Sequence, residues 1–174
     1  MFQRSFAARA DGPGFPSFSG MNPAHLHLIV NHVPIVGSLF AVVLLAAGGL
    51  SHNPSLTKAG LLAVLAAGLL CLPAQLSGAG AAAIAQQMVS SNQALIRAHA
   101  AAAELGFWVL ETAAALALFG LLLLKNASPN ARLVVWLTLG VAVLSFGLLA
   151  RAGNLGGQIS HPEIRAGFHQ VNER

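Results

Sequence analysis

Seven histidines and a pair of glutamates hold most of the chemistry open to this 174-residue chain. His25, His27 and His32 lie close together, His99 stands alone, His161 and His169 come late, and His52 is set apart. Imidazole ligates metals through either ring nitrogen and titrates near neutral pH. His25 and His32 are seven residues apart and project within about 20° of each other on an ideal helix, whereas His27 points elsewhere. Two imidazoles from different helices suit the axial positions of a b-type haem. The expected pair is His32 with His99. Asn31 stands beside it, and His27 and His161 are supporting or alternative ligands. A second arrangement draws on His25, His99, His161 and Glu163. Its mixed nitrogen and oxygen donors suit zinc, copper or iron. A third reading has no cofactor, with interfacial histidines bonding backbone, headgroups or water. His52 and His169 are assigned to it.

Glu104 and Glu111 are also seven apart, with Trp108 between them. Glu111 falls inside an apolar stretch, where ionisable groups are rare and face the protein interior or a wet cavity. Either it serves a proton path or it is a carboxyl bonded to Gln75, Ser145 or Thr112. The second fits one isolated acid better. No catalytic triad, phosphate-binding glycine loop or nucleotide motif is visible, so no catalytic residue is assigned and enzymatic activity is left open. Cys71, the single cysteine, reads as a small buried apolar residue.

These groups must be positioned by four apolar stretches at residues 33–50, 59–76, 100–124 and 133–150. About eighteen to twenty apolar residues at 1.5 Å rise cross a hydrocarbon core of roughly 30 Å. Only 8% of residues are charged while 56% are hydrophobic, too little polar surface for a water-soluble helical protein. The net charge of +4 comes from scattered Lys and Arg without a basic stripe, which argues against nucleic acid and for lipid headgroups.

Short polar turns after the first and third stretches impose an up-down-up-down four-helix bundle. The fold class is all-α and integral to the membrane, with the transmembrane domain at residues 23–165, a disordered tail at 1–22 and a polar tail at 166–174. This topology gathers His25, His27, His32, His99, His161 and His169 on one side and leaves His52 opposite. The tight turns carry Lys58, Lys125 and Arg132 without an acid, which favours the cytoplasm for that side. The histidines then face the periplasm of a bacterial inner membrane. Respiratory-chain or other redox membrane proteins are the expected partners, and the oligomeric state is open.

Asn22-Pro23 reads as a helix start, and Pro34 predicts a kink near His32, with Asn31 placed to serve the freed backbone groups. Pro73, Gly78 and Gly80 predict the end of the second span, residues 81–98 read as an interfacial helix or connection, and the fourth span is expected to stop at Arg151 before Gly153, Gly156 and Gly157. Arg4 and Arg9 lie in a Gly- and Pro-rich leader that fits neither a signal peptide nor an amphipathic helix. Met21 is an alternative start of translation, in which case the upstream segment is not native.

The segment His25-Leu26-His27-Leu28-Ile29-Val30-Asn31-His32-Val33-Pro34-Ile35-Val36-Gly37 resembles the opening of a family of small bacterial four-span membrane proteins of unknown function. Ser77-Gly78, His99 and Gly156-Gly157-Gln158-Ile159-Ser160-His161-Pro162-Glu163-Ile164 fit the same pattern, so the resemblance covers residues 21–164. It implies the four-span fold and a histidine-bearing face, with no established activity. Such proteins carry acids after the Ser-Gly and a Glu after the third-span histidine. Here Ala79, Gly80, Ala81 and Ala100 stand in those places, which weighs against carboxylate-rich metal sites more than against haem.

Overall fold

The computed structural model describes residues 22–87 and 92–166. Of the expected tails at 1–22 and 166–174, residues 1–21 and 167–174, with His169 and the proposed start at Met21, lie outside the described residues. Asn22 caps the first helix by accepting from the Ala24 N–H at 2.9 Å, and Pro23 takes the first helical position, where a missing N–H costs nothing. Helix α1 (Pro23–Val30) ends at Asn31, and α2 (His32–Leu50) resumes at once. The break lies where Pro34 withholds the donor for the Val30 carbonyl, as the sequence predicts. The Asn31 Oδ1 atom, itself an acceptor, cannot serve that carbonyl and is buried without a hydrogen-bond partner.

Helices α3 (Pro54–Gln86), α4 (Gln93–Lys125) and α5 (Ala131–Ser160) complete the bundle. Among the described residues four helical segments are long and apolar enough to span a bilayer. The chain is a polytopic membrane protein of the all-α class. Its helices pack in the cyclic order α2, α3, α4, α5, while α1 leans on α3. The core is built from small and medium side chains, with Ala41, Leu45, Leu61, Val64, Leu110, Ala113, Ala117 and Ala142 fully buried. Leucines and phenylalanines such as Leu62, Leu69, Phe40 and Phe119 point outward, as lipid contact requires.

Three expected boundaries are corrected. Helix α3 runs through Pro73, Gly78 and Gly80 to Gln86, α4 begins at Gln93 rather than Ala100, and α5 continues through Gly153, Gly156 and Gly157 to Ser160. Downstream of Pro73 the Ser77 hydroxyl donates back to the Pro73 carbonyl at 2.8 Å, while the carbonyl that Pro73 deprives of its donor is that of Leu69. The glycines are contact points rather than stops. A Cβ at Gly80 would stand 2.7 Å from Pro23 Cβ, and one at Gly153 would stand 2.8 Å from Ile35 Cδ1. Asn92 accepts from the Ala94 and Leu95 N–H groups at 3.0 and 3.1 Å, so α4 starts within the segment expected to be an interfacial helix or connection and runs into the third span without a break. Helices of 33, 33 and 30 residues are about 45–50 Å long and exceed a 30 Å core. With the tight turns set at one surface, the excess projects on the histidine side.

Both tight turns close α-helices with the 6→1 bond of a Schellman motif, and the second adds the 5→2 bond from Ala127 to Leu124. The Asn53 N–H donates to the Gly48 carbonyl at 3.0 Å, and the Ser128 N–H donates to the Leu123 carbonyl at 2.9 Å. The left-handed position of this motif usually falls to glycine; here His52 (φ 52°) and Ala127 (φ 49°) hold it. A left-handed L-residue costs roughly 1–2 kcal/mol. Ala127→Gly is expected to stabilise the protein by about 1 kcal/mol on that basis, read as a higher midpoint of thermal unfolding in detergent. An unchanged or lower midpoint contradicts the strain.

Candidate functional site

On the projecting side, four helices meet at two imidazoles. His27 comes from α1 and His99 from α4, with ring centroids 6.2 Å apart and ring planes at 89°. His27 Nδ1 lies 3.0 Å from the Ala74 carbonyl of α3, and His99 Nδ1 lies 2.8 Å from the Ala152 carbonyl of α5. A carbonyl only accepts, so both Nδ1 atoms carry the proton. The Nε2 atom of each neutral ring is left with an unshared electron pair. Ser77 Oγ, 3.2 Å from His27 Nδ1, spends its own proton on α3 carbonyls and presents an acceptor to the same ring.

Small residues make room for the rings. A Cβ on Gly156 would lie 3.2 Å from His99 Cε1, and one on Gly78 would lie 3.7 Å from His27 Cε1. The residues that the sequence set aside as motif glycines thus line the histidine pair. Both rings are half-buried. About twenty residues from each tight turn reach Ala74, Leu105 and Arg151, so the pair lies near the edge of the hydrocarbon layer.

The other expected residues are distributed differently. The ring contact of His99 is with His27, while His32 opens α2 as an exposed residue and His25 is exposed on α1. Among the described residues no three His, Cys, Asp or Glu side chains gather as a metal set, so the four-residue group His25, His99, His161 and Glu163 is not assembled. Its late members do meet each other, with His161 Nδ1 2.9 Å from Glu163 Oε1, both exposed. This contact follows the end of α5, where the Arg165 guanidinium donates to the Gln158 and Ile159 carbonyls at 2.7 and 3.3 Å.

Glu163's own backbone N–H, and then the His161 ring, hold its carboxyl below the usual glutamate range. A depressed carboxyl pKa favours the contact at pH values above the ordinary glutamate range, and the benefit is lost as pH falls through the lowered folded value. Titrating the Glu163 carboxyl by NMR should therefore give an inflection below the usual glutamate range that moves upward in His161→Ala. An inflection that is the same in both proteins contradicts the contact.

Glu111 lies midway along α4, as many residues from Arg97 as from Lys125, or about 21 Å along the axis either way. Its Oε1 atom is buried with no hydrogen-bond partner. The expected partners are engaged elsewhere: Ser145 donates to the Gly106 carbonyl and Thr112 to the Trp108 carbonyl. The carboxyl borders a lipid-side cleft of about 420 Å³ lined by Leu65, Leu69, Ala114, Ala115 and Leu118. The bonded-carboxyl expectation is corrected, because none of the three named donors reaches it.

No protein-family model, curated protein or solved structure matches the chain. Its function is therefore argued from the bundle and the histidine pair.

Proposed function

We propose that this membrane protein binds a b-type haem through His27 and His99 and serves one-electron transfer or redox sensing beside a respiratory or other redox membrane complex. The observation that carries the reading is the paired imidazoles, each tethered through Nδ1 to the backbone of a third and a fourth helix. Histidines that ligate metals characteristically give their other N–H to a carbonyl or carboxylate, which fixes the tautomer and aims the free nitrogen. Two metal–nitrogen bonds of about 2.0 Å, with about 1.1 Å more from each nitrogen to its ring centre, span about 6.2 Å. The spacing of the pair agrees with that span. Gly78 and Gly156, whose added Cβ atoms would meet the Cε1 atoms of His27 and His99, leave room for the two imidazoles. The haem would supply the redox chemistry; the chain's residues hold it, set the imidazole tautomers and limit water.

The resemblance to the four-span family supports a histidine-bearing face, and the acid-free tight turns support a periplasmic location for it in a bacterial inner membrane. A second reading replaces haem with a single copper, zinc or iron ion between the same nitrogens. It is favoured by the rings' existing contact, which one atom bridges without displacing a helix. The visible spectrum and metal content of the purified protein separate them. A Soret band with sharp, split low-spin bands on reduction supports haem, and metal without a Soret band supports the ion. The absence of both defeats both readings and leaves a cofactor-free accessory subunit.

A further inference from the structure

At the opposite end of the bundle, the two tight turns enclose a pocket of about 270 Å³ between the end of α2 and the start of α5. Its polar lining comes from His52, Thr57, Ser128 and Arg132, and Gly49 and Trp136 form an apolar edge. A Cβ on Gly49 would lie 3.0 Å from Trp136 Cζ2, so the indole closes that side directly over the helix backbone. Arg132 is exposed and makes no ion pair or hydrogen bond among the described residues. Residues 51–58 and 124–132 contain Lys58, Lys125 and Arg132 and not one Asp or Glu.

We infer that this pocket binds a phosphate oxyanion, supplied either by an anionic phospholipid headgroup or by free phosphate. A guanidinium fork recognises two phosphate oxygens at once. The Ser128 hydroxyl and the His52 ring add donors on the same wall, while the Thr57 hydroxyl is spent on the Asn53 carbonyl. Charge complementarity excludes a cation, since no acceptor carboxylate faces the space. Both left-handed residues, His52 and Ala127, belong to the turns that shape the pocket. His52 keeps a side chain at a backbone position that glycine would occupy without strain, and that side chain lines the pocket. Trp136 stands where interfacial indoles settle, at headgroup level. The site is independent of the histidine pair at the other end.

The test uses the full chain in detergent, with native mass spectrometry measuring retention of dioleoyl phosphatidylglycerol and dioleoyl phosphatidylcholine. Phosphatidylglycerol is expected to bind more tightly than phosphatidylcholine. Arg132→Gln should weaken it about ten-fold, the scale of one lost charge-assisted contact. Lys125→Gln, which removes the same charge outside the pocket, should change it less than about two-fold. Arg132→Lys should fall between, because charge persists without the fork. Ser128→Ala, a second and milder probe, should weaken binding several-fold. Inorganic phosphate is then titrated against the bound lipid. Displacement at millimolar concentration that depends on Arg132 assigns the site to free phosphate, and lipid retention throughout assigns it to the headgroup. Equal losses in Arg132→Gln and Lys125→Gln, or equal retention of the two lipids, overturn the site.

Discussion

His27→Ala and His99→Ala proteins are each expected to lose the low-spin haem spectrum, while His52→Ala and the exposed His32→Ala retain it. The asymmetry follows from position. The His27 and His99 ring centroids lie 6.2 Å apart, edge to face, with their Nδ1 atoms tied down, so on the proposed haem reading removing either would leave a single imidazole ligand. His52 lies at the other end of the bundle. Neighbouring residues should give graded effects. A Cβ at Gly156 would press to 3.2 and 3.3 Å on His99 Cε1 and Nδ1, and Ser77→Ala removes an acceptor beside His27. Changes to such supporting groups typically cost about 10–100-fold in metal affinity, so both variants should bind haem more weakly without losing low-spin bands. Absorbance titration with haem measures this. Equal loss from His27, His32 and His99 variants contradicts the pairing, and loss from His32→Ala alone returns the ligand role to the position that helical phase favours.

Periodicity alone misdirects here for a physical reason. His32 and His25 share a helical face only if one straight helix continues through Asn31. Pro34 breaks that helix, and α1 then leans on α3 rather than following α2. The face carrying His27 is turned toward Ala74 and Ser77, and no spacing rule reports that rotation. The four spans and their up-down order were legible, because hydrophobic length and two tight turns suffice to specify them. The collection of His27 and His99 at one end followed from that order alone. Their anchors were not legible, since Ala74 and Ala152 contribute only carbonyl oxygens and any residue provides one. Gly78, Gly80, Gly153 and Gly156 were misleading in a common way. In water they interrupt helices, but in this bundle they admit a neighbouring helix or ring to within contact distance. Membrane helices depend on such close approach, because lipid removes the hydrophobic drive between helices.

That dependence gives the largest expected effect on stability. A Cβ on Gly48 would lie 2.5 Å from the Thr57 backbone nitrogen, 2.7 Å from its Oγ1 and 2.9 Å from its Cα. Two of those three atoms are backbone, and Thr57 is itself held by its N–H and hydroxyl bonds to the Asn53 carbonyl at 3.1 and 3.0 Å. No side chain can swing aside. Gly48 also accepts the turn-closing bond from Asn53, so any displacement of α2 opens that bond as well as the helix contact. Overpacking typically costs about 1–3 kcal/mol and more where backbone must move. Gly48→Ala is therefore expected to cost about 3 kcal/mol, and Gly48→Leu to prevent the α2–α3 pair from closing. Gly140→Ala and Gly147→Ala supply the contrast: nothing lies within 4 Å of either added methyl. Their expected effect is neutral or a gain of up to about 1 kcal/mol from helix propensity. Thermal unfolding midpoints in one detergent should order the variants as Gly140→Ala and Gly147→Ala at or above wild type and Gly48→Ala far below. A Gly48→Ala protein that melts with wild type would mean that α2 and α3 do not approach through this glycine.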